Sequence, residues 1–542
     1  MFIKVTKSGN HEYAQLVESF RENGMTRHKV MLNLGRLDHI KNNPSFQRIA
    51  KKLEELSTVK SQYSNINDIK DAEIFNYGYL AYRCLWKKYE LPGLLKRASG
   101  KARFDLDQTC FLMAIQHLLE PRSKLGTHAH QGRYLNLPAI KLHHLYRALD
   151  ILERSKEKLE KDIFDLNRNL FNMAVDVVFF DVTTFHFESV RQDNLKNFGF
   201  SKNGKFNEVQ VVLGMIIDRT GRPVGYELFP GNTFDGNTLA TALEKLEQRF
   251  GINRVIIVAD RGINSKLNLK HIRDKGYGYV VASRLKVMPE KILESVFDPS
   301  GYNDVPTEDA AVFRCKSLAY VNRFKVEKQL YELSEKLIVT YSDSRAKKDK
   351  ADRERFIEKA ERLLKNKSQI KASGKRGGKK YLKETADSSV DWVLDEAAIL
   401  KDTRFDGYYA IQTSEKEITP QEVLDIYHDL WKIEESFRVM KSTLEVRPVF
   451  HWTESRIKGH FVLCFLAFLM ERALEFRLRE AGLSASPKQI REALNSLNFV
   501  AVTAHEKKIL IKTKAQSLAN NIWRLLRLQP LKNVFPEEEI PL

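Results

Sequence analysis

Two short runs constrain this chain more than anything else in it. Val175-Asp-Val-Val-Phe-Phe180 and the stretch from Arg254 to Ala259 are dense in β-branched and aromatic residues, and an aspartate closes each, Asp181 and Asp260. Near-continuous apolar runs of this length describe central strands covered on both faces. Further runs lie at Val209 to Ile217, Pro223 to Phe229 and Tyr277 to Ala282. A helical stretch from Asp235 to Phe250, with Asp235 and Asn237 as candidate caps, separates the third run from the fourth. The order predicts an α/β core.

An acid just past the C-terminal end of a buried strand sits where open α/β sheets place their ligands. If the two strands are neighbours, Asp181 and Asp260 face one crevice. Two converging carboxylates and a third suit Mg²⁺, a hard cation that takes oxygen ligands, keeps waters and binds substrate phosphate. Either aspartate could equally cap the next helix. The third acid is sought on a helix opened by Thr419-Pro-Gln-Glu422, a capping box with Pro at the first helical position. Its apolar pattern runs through Val423, Ile426, Tyr427, Leu430, Ile433, Phe437 and Met440. Tyr427, Glu434 and Lys441 are seven residues apart, two helical turns, which predicts one stripe flanked by Leu430 and Arg438. Such a stripe suits a metal-holding Glu434 between two phosphate contacts. It also suits an ordinary charged surface face, to which Glu435 would belong.

Charge narrows the partners. Lys and Arg total 89 against 70 Asp and Glu, a net charge of +19 and a pI near 9.4. That excess favours a polyanion, with nucleic acid ahead of an anionic membrane. The longest apolar run, Phe461 to Met470, is ten residues, about half a bilayer span. The first residues lack the apolar segment of a signal peptide. Cys84, Cys110, Cys315 and Cys464 are too dispersed for a CxxC pair and read as reduced thiols of a cytoplasmic protein. Secreted, disulfide-framed, membrane-spanning and structural-zinc classes are excluded on these grounds.

Six segments are expected. Residues 1–60 form a basic β-rich start, with a hairpin around Gly9-Asn10, more alternation near Val30 to Leu34 and a helix from Ser45 to about Leu56. Residues 73–171 carry helical periodicity from Ile74 and Tyr77 through Leu152. The α/β core occupies 172–284 and resumes over 401–482, where a second long helix, capped by Thr453, carries the apolar run and stops near Gly482. Between lies a basic segment, 285–400, with a strand from Lys336 to Tyr341 and a charged helix from about Arg345 to Asn366. From Arg345 to Lys383 there are sixteen Lys and Arg against five Asp and Glu. Its glycine-rich part, with Lys375, Arg376, Lys379 and Lys380, is expected to touch phosphate rather than build a core. Residues 483–542 are expected to be helical.

Phe180-Asp-Val-Thr-Thr184, Val258-Ala-Asp-Arg-Gly262 and Tyr427-His-Asp-Leu-Trp-Lys-Ile-Glu434, continued by Phe437-Arg438 and Lys441, resemble the DDE transposases of bacterial insertion sequences. The resemblance is to the cut-and-paste superfamily with a Tyr-Arg-Glu-Lys signature, and it runs from about Val175 to Glu471. It implies an RNase H-like mixed-sheet catalytic core, interrupted by an insertion domain and preceded by the β-hairpin start and an α-helical DNA-binding domain. It implies that Asp181, Asp260 and Glu434 are catalytic and bind two Mg²⁺ ions (Mn²⁺ as a substitute), and that Tyr427 and Lys441 contact DNA phosphates. The signature arginine falls at Leu430, which moves the expectation to Arg438. Trp392 is the candidate to stack on a flipped base. Double-stranded DNA, as transposon ends and target, is the implied partner, with a homodimer holding the two ends in the bacterial cytoplasm at the nucleoid. Two alternatives stay open: a non-catalytic DNA-binding relative of a transposase, and an aspartyl phosphotransferase, because Asp181-Val-Thr183-Thr resembles the start of a haloacid-dehalogenase loop.

Overall fold

The computed structural model describes residues 2–22, 25–56, 72–171, 176–199, 207–252, 255–305, 312–326, 328–365, 377–385, 388–447, 449–504 and 507–537. The chain divides into two compact units, one of Met1–Ile163 with Arg438–Leu542, the other of Phe164–Phe437.

The first unit opens with a three-stranded antiparallel meander, β1 (Phe2–Ser8), β2 (His11–Glu22) and β3 (Met25–Arg36). A two-residue turn joins β1 to β2, and Gly9 takes φ 61° there at little steric cost. Two helices follow, α1 (Leu37–Lys41) and α2 (Pro44–Leu56), close to the helix expected from Ser45. Then come β4 (Ala72–Asn76), α3 (Tyr79–Lys88), α4 (Leu91–Ser99), α5 (Leu106–Leu119), α6 (Lys124–His130) and α7 (Leu142–Phe171), whose residues from Phe164 on are counted with the second unit.

The second unit is built on a mixed sheet. Its first strands are β5 (Val177–His186), β6 (Gln210–Asp218) and β7 (Pro223–Pro230), followed by α8 (Thr238–Phe250), β8 (Ile256–Ala259), α9 (Lys266–Asp274) and β9 (Gly278–Ala282). β5 pairs antiparallel with β6 and β6 with β7, while β8 runs parallel to both β5 and β9. Every residue of β6 and β9 is buried, as the apolar runs predict. Alternate residues of β5 and β8 (Phe180 and Val182, Ile257 and Ala259) pack with Leu239 and Leu243 of α8 and Leu269 and Ile272 of α9. Asn237 caps α8 without a side-chain bond.

The segment 285–400 departs from a separate basic insertion. After α10 (Glu290–Phe297), strands β10 (Asn303–Asp304), β11 (Phe313–Val326) and β12 (Gln329–Ser342) extend the same sheet. Later comes β15 (Tyr408–Thr413), which bridges β12 to β9, so the nine-stranded order is β10-β11-β12-β15-β9-β8-β5-β6-β7. Between β12 and β15 lie α11 (Asp343–Leu364), the ribbon β13 (Leu382–Thr385) with β14 (Ser388–Leu394), and α12 (Glu396–Thr403). This part has its own small core of Ala360, Tyr381 and Leu382, against which Trp392 packs half-buried. The unit closes with α13 (Pro420–His428) and with α14 (Trp431–Arg438), whose last residue, Arg438, is counted with the other unit.

The rest of the first unit begins with a π-helical turn, Val439–Thr443, and α15 (Glu454–Glu480). α15 is the expected second long helix, with Thr453 at its N-cap position and Gly482 (φ 72°) just past its end. It is buried on almost every side, and a helix apolar all round needs partners all round. α3, α5 and α7 supply them; a Cβ on Gly459 would lie 2.0 Å from the Leu149 carbonyl of α7. Residues past Arg438 therefore group with the N-terminal helices and not with the sheet.

The last segment is mixed rather than helical: α16 (Pro487–Asn495), β16 (Asn498–Ala504), β17 (Lys507–Lys512), α17 (Ser517–Leu525) and β18 (Val534–Pro536). β4 completes its sheet in the order β18-β17-β16-β4, so Ala72–Asn76 is a strand where helical periodicity was expected. The reason is non-local: the buried Asn76 amide donates to the Leu494 and Leu497 carbonyls. Among the described residues no helix is long and apolar enough to cross a membrane.

Candidate active site

β5 and β8 are neighbours in register, with Phe179 opposite Val258. Two residues further along each strand stand Asp181 and Asp260, so the parallel pairing brings the two acids to the same level of the sheet. Side chains alternate faces along a strand. Since Phe180, Val182, Ile257 and Ala259 point into the α8/α9 core, Asp181 and Asp260 lie on the opposite face. One expectation needs correcting. Asp181 is not past the end of its strand, because β5 runs on to His186, paired with β6 throughout; only β8 ends before its aspartate.

Both carboxylates are half-buried and held by local backbone amides. Val182 N–H donates to Asp181 Oδ1 at 2.7 Å, and Gly262 N–H donates to Asp260 Oδ1 at 2.7 Å. Asp260 Oδ2 has no hydrogen-bond or ion-pair partner among the described residues, so this carboxylate oxygen is left for a ligand.

The helix expected from Thr419 to beyond Met440 comes in pieces. The Thr419–Glu422 capping box starts α13 as predicted. The helix then tightens, with Leu430 N–H bonded to Tyr427 O, Lys432 N–H to Asp429 O and Ile433 N–H to Leu430 O, and α14 begins at Trp431. After Arg438 it widens into the π-helical turn. One straight stripe through Tyr427, Glu434 and Lys441 is therefore interrupted twice. Turns of this kind need three and five residues per hydrogen-bond step rather than four.

Tyr427 stays in the sheet's neighbourhood. Its hydroxyl is 2.7 Å from that of Tyr409 on β15, and the Asp260 charge acts on it. Burial first, then Tyr409 and Asp260, push its phenol well above the ordinary range, so it is a permanent proton donor at neutral pH. Glu434 is exposed on α14 and makes no hydrogen bond or ion pair among the described residues, whereas Glu435 is half-buried and engaged. Lys432 is anchored to Asp429 Oδ1 (2.7 Å) and to the Arg219 carbonyl (3.0 Å) in the β6–β7 turn, which ties the start of α14 to the sheet. Leu430 is 8% exposed and fills the tightened turn. Arg438 and Lys441 belong to the other compact unit.

Three cations were not anticipated from sequence. Arg261 follows Asp260 directly; its guanidinium lies 6.0 Å from the centroid of the Tyr409 ring, and that of Arg345 lies 4.5 Å away. Arg284 donates to the Arg261 carbonyl at 3.3 Å. These three line a cavity of about 290 Å³ that also reaches Lys380. The only available signal was the Asp-Arg-Gly triplet itself; Arg345 is brought in by its helix α11. Of the glycine-rich basic stretch, Lys375 and Arg376 lie outside the described residues. Lys379 sits 5.3 Å from the Trp392 ring and Lys380 pairs with Asp402 at 3.0 Å. Trp392 is thus a packing residue of the small core, with one face under a lysine.

A fold of this kind, with two in-register acids on a mixed sheet, meets its family in the comparison with known proteins. A model described as a transposase DDE domain matches residues 175–470, more than half of the chain, which therefore belongs to the DDE-domain transposases, DNA-cleaving enzymes whose chemistry generally uses a divalent metal. A second model, for the N-terminal domain of IS1634 family transposases, matches residues 3–62. Together they make this an insertion-sequence DDE transposase, a DNA transposase. No curated protein matches it. Similar solved structures include a piggyBac transposase synaptic complex with hairpin DNA, at 10% identity and a TM-score of 0.37, covering 84% of this chain and 83% of that one.

Proposed function

We propose that Asp181, Asp260 and Glu434 are the three metal-binding acids of an RNase H-like catalytic core that cuts DNA at the ends of an insertion sequence and joins it to a target. One observation carries this reading: Asp181 and Asp260 stand in register on adjacent parallel strands, on the sheet face turned away from the α8/α9 core. The order β7-β6-β5-β8-β9, three antiparallel strands and then two parallel to the first, supports the RNase H-like assignment. The donor set fits a hard divalent cation such as Mg²⁺: carboxylate oxygens only, with Asp260 Oδ2 and the Glu434 carboxylate without a partner among the described residues. A pair of such ions supplies charge stabilisation for both the attacking and the leaving oxygen of a phosphodiester displacement.

The chain's own groups do the rest. The Asp181 and Asp260 side chains are oriented by backbone amides, so little reorganisation is needed when a phosphate arrives. The permanently protonated Tyr427 donates to a phosphate oxygen, and Arg261, Arg284 and Arg345 draw the backbone of the strand toward the sheet. The 3′-hydroxyl freed by the first cut attacks the second strand or the target, so no Ser or Tyr nucleophile is required. The β1–β3 meander and the helices between residues 73 and 171 are assigned to end recognition, and a homodimer to holding the two ends. The net charge of +19 supplies the sequence-tolerant grip.

A supercoiled plasmid carrying the cognate terminal repeats tests this. With Mg²⁺ the protein should nick and then linearise it at the repeat boundaries, and with EDTA it should only bind. Binding without nicking in Mg²⁺ and in Mn²⁺ would assign the chain to non-catalytic DNA binding.

A further inference from the structure

Far in sequence from the acids, within the first unit, α6 buries a lysine that has no counter-charge among the described residues. Lys124 is 4% exposed, and among the described residues its ammonium has one hydrogen-bond partner, His117 Nε2 of α5 at 3.2 Å. That imidazole is neutral: its Nδ1 lies 2.9 Å from the Leu444 carbonyl and so carries the proton, which leaves Nε2 to accept. His451 and His460 stand next to it, with ring centroids 5.1 Å apart, and His460 Nε2 faces the Val446 carbonyl at 3.1 Å. Burial brings His117 and His451 down to about 3 and Lys124 to about 8, so at pH 7 the cluster is neutral except for the ammonium. The groups acting on Lys124 besides burial are Cys464 and Cys110, and no carboxylate is among them.

An ammonium taken out of water without an anion is costly, and proteins keep such charges where something pairs with them. Beside Lys124 there is room for a partner: a cavity of about 250 Å³ lined by Lys124, the three histidines, Arg122 and Arg447. Arg122 is shared with Glu120, while Arg447 has no ion pair among the described residues. The one carboxylate of the lining, Glu445, is exposed. His117, His460 and Cys464 also lie close enough to be read as a metal site, all ligand atoms within 4.8 Å. The ammonium on His117 Nε2 opposes that reading, because it occupies the lone pair a metal would take and repels a cation.

We propose that this cavity is a binding site for a single phosphate group, with Lys124 as the buried anchor and Arg447 as the outer cation. The volume holds one tetrahedral oxyanion with several waters. In a DNA transposase the phosphate is that of a DNA strand. That source rests on the family, whereas the anion site itself rests on the cluster alone.

The test uses the full chain and inorganic phosphate first. Thermal unfolding at constant ionic strength should show a saturable rise in Tm with phosphate over chloride. Lys124→Met, which removes the buried charge and keeps the bulk, should weaken phosphate binding at least tenfold, and Arg447→Gln, on the open side, should weaken it several-fold with an unchanged fold. Short duplexes with phosphorylated and unphosphorylated 5′ ends form the second arm: competition with phosphate by the phosphorylated duplex alone assigns a strand end, and competition by both assigns the internal backbone. Competition by neither, with phosphate still bound, would leave a free-phosphate site and overturn the DNA source. No saturable phosphate effect in the wild-type chain, or stoichiometric Zn²⁺ uptake lost in Cys464→Ser, would overturn the site itself.

Discussion

At position 430 the side chain is not the one that the resemblance to the family signature implies. The family signature implied by the sequence carries arginine there, but Leu430 is buried in the tightened turn between α13 and α14 and cannot reach a phosphate. Lys432, the nearest cation before Glu434, is tied to Asp429 and to a carbonyl. Arg438, four residues after Glu434 and the last residue of α14, is exposed and forms no ion pair among the described residues. A planar guanidinium can hold two phosphate oxygens at once, as a lysine cannot. Arg438→Ala should therefore slow cleavage at least tenfold, about 1.4 kcal/mol of transition-state binding. Arg438→Lys should recover only part of it. Single-turnover cleavage of end DNA measures both, and an unchanged rate in Arg438→Ala would return this arginine to the ordinary surface. Asp181 and Asp260 stood out in the sequence because each carboxylate follows an apolar run; Glu434 stood out only by its spacing from Tyr427 and Lys441. Arg345 was not, since nothing local links it to Tyr409.

Among elements, the hairpin β11–β12 was the hardest to see. Arg314, Lys316, Asn322, Arg323 and Lys325 give β11 the composition of a solvated loop, and only pairing with β12 along its whole length makes it a strand. The expected strand from Lys336 to Tyr341 was the apolar half of β12. By contrast, the helix break at Asp429–Leu430 was hidden by an apolar period that continues through it.

β12 also buries Glu335, bonded to the Tyr279 hydroxyl and the Gln412 amide. Burial pushes this carboxyl up to about 7 from 4.5. The native state therefore holds a proton that the unfolded chain has already lost between those values. The stabilisation is complete below about pH 4.5 and falls as pH rises toward 7, by about 3 kcal/mol in all. Glu335→Gln keeps an uncharged hydrogen-bonding group and should abolish this slope. Urea midpoints at pH 5 and pH 8 should converge in the variant and differ in the wild type. Equal pH dependence in the two proteins would mean that Glu335 ionises normally in the folded state.

At the scale of the whole molecule, the chain combines a nine-stranded sheet unit with a second unit in which the two ends of the sequence meet around α15. The sheet core was legible because its strands are buried on both faces and cannot tolerate interruption. The pairing of β4 with β16 was not, because it joins residues more than four hundred positions apart, beyond the reach of periodicity. The positive charge and the three motifs point to DNA and to phosphoryl chemistry from the sequence alone. What the fold adds is the register that sets Asp181 level with Asp260 and the contrast between Glu434, without a partner among the described residues, and an engaged Glu435.

The central claim is that these three acids form one metal-dependent site, and parallel measurement of end-DNA binding and Mg²⁺-dependent strand cleavage in single alanine variants tests it most directly. Asp181→Ala, Asp260→Ala and Glu434→Ala should each lose at least a thousandfold in cleavage, about 4 kcal/mol, while binding end DNA within a fewfold of the wild type; Glu435→Ala should cleave nearly normally. Full cleavage by any one of the three, or loss of cleavage in Glu435→Ala but not in Glu434→Ala, would contradict the account.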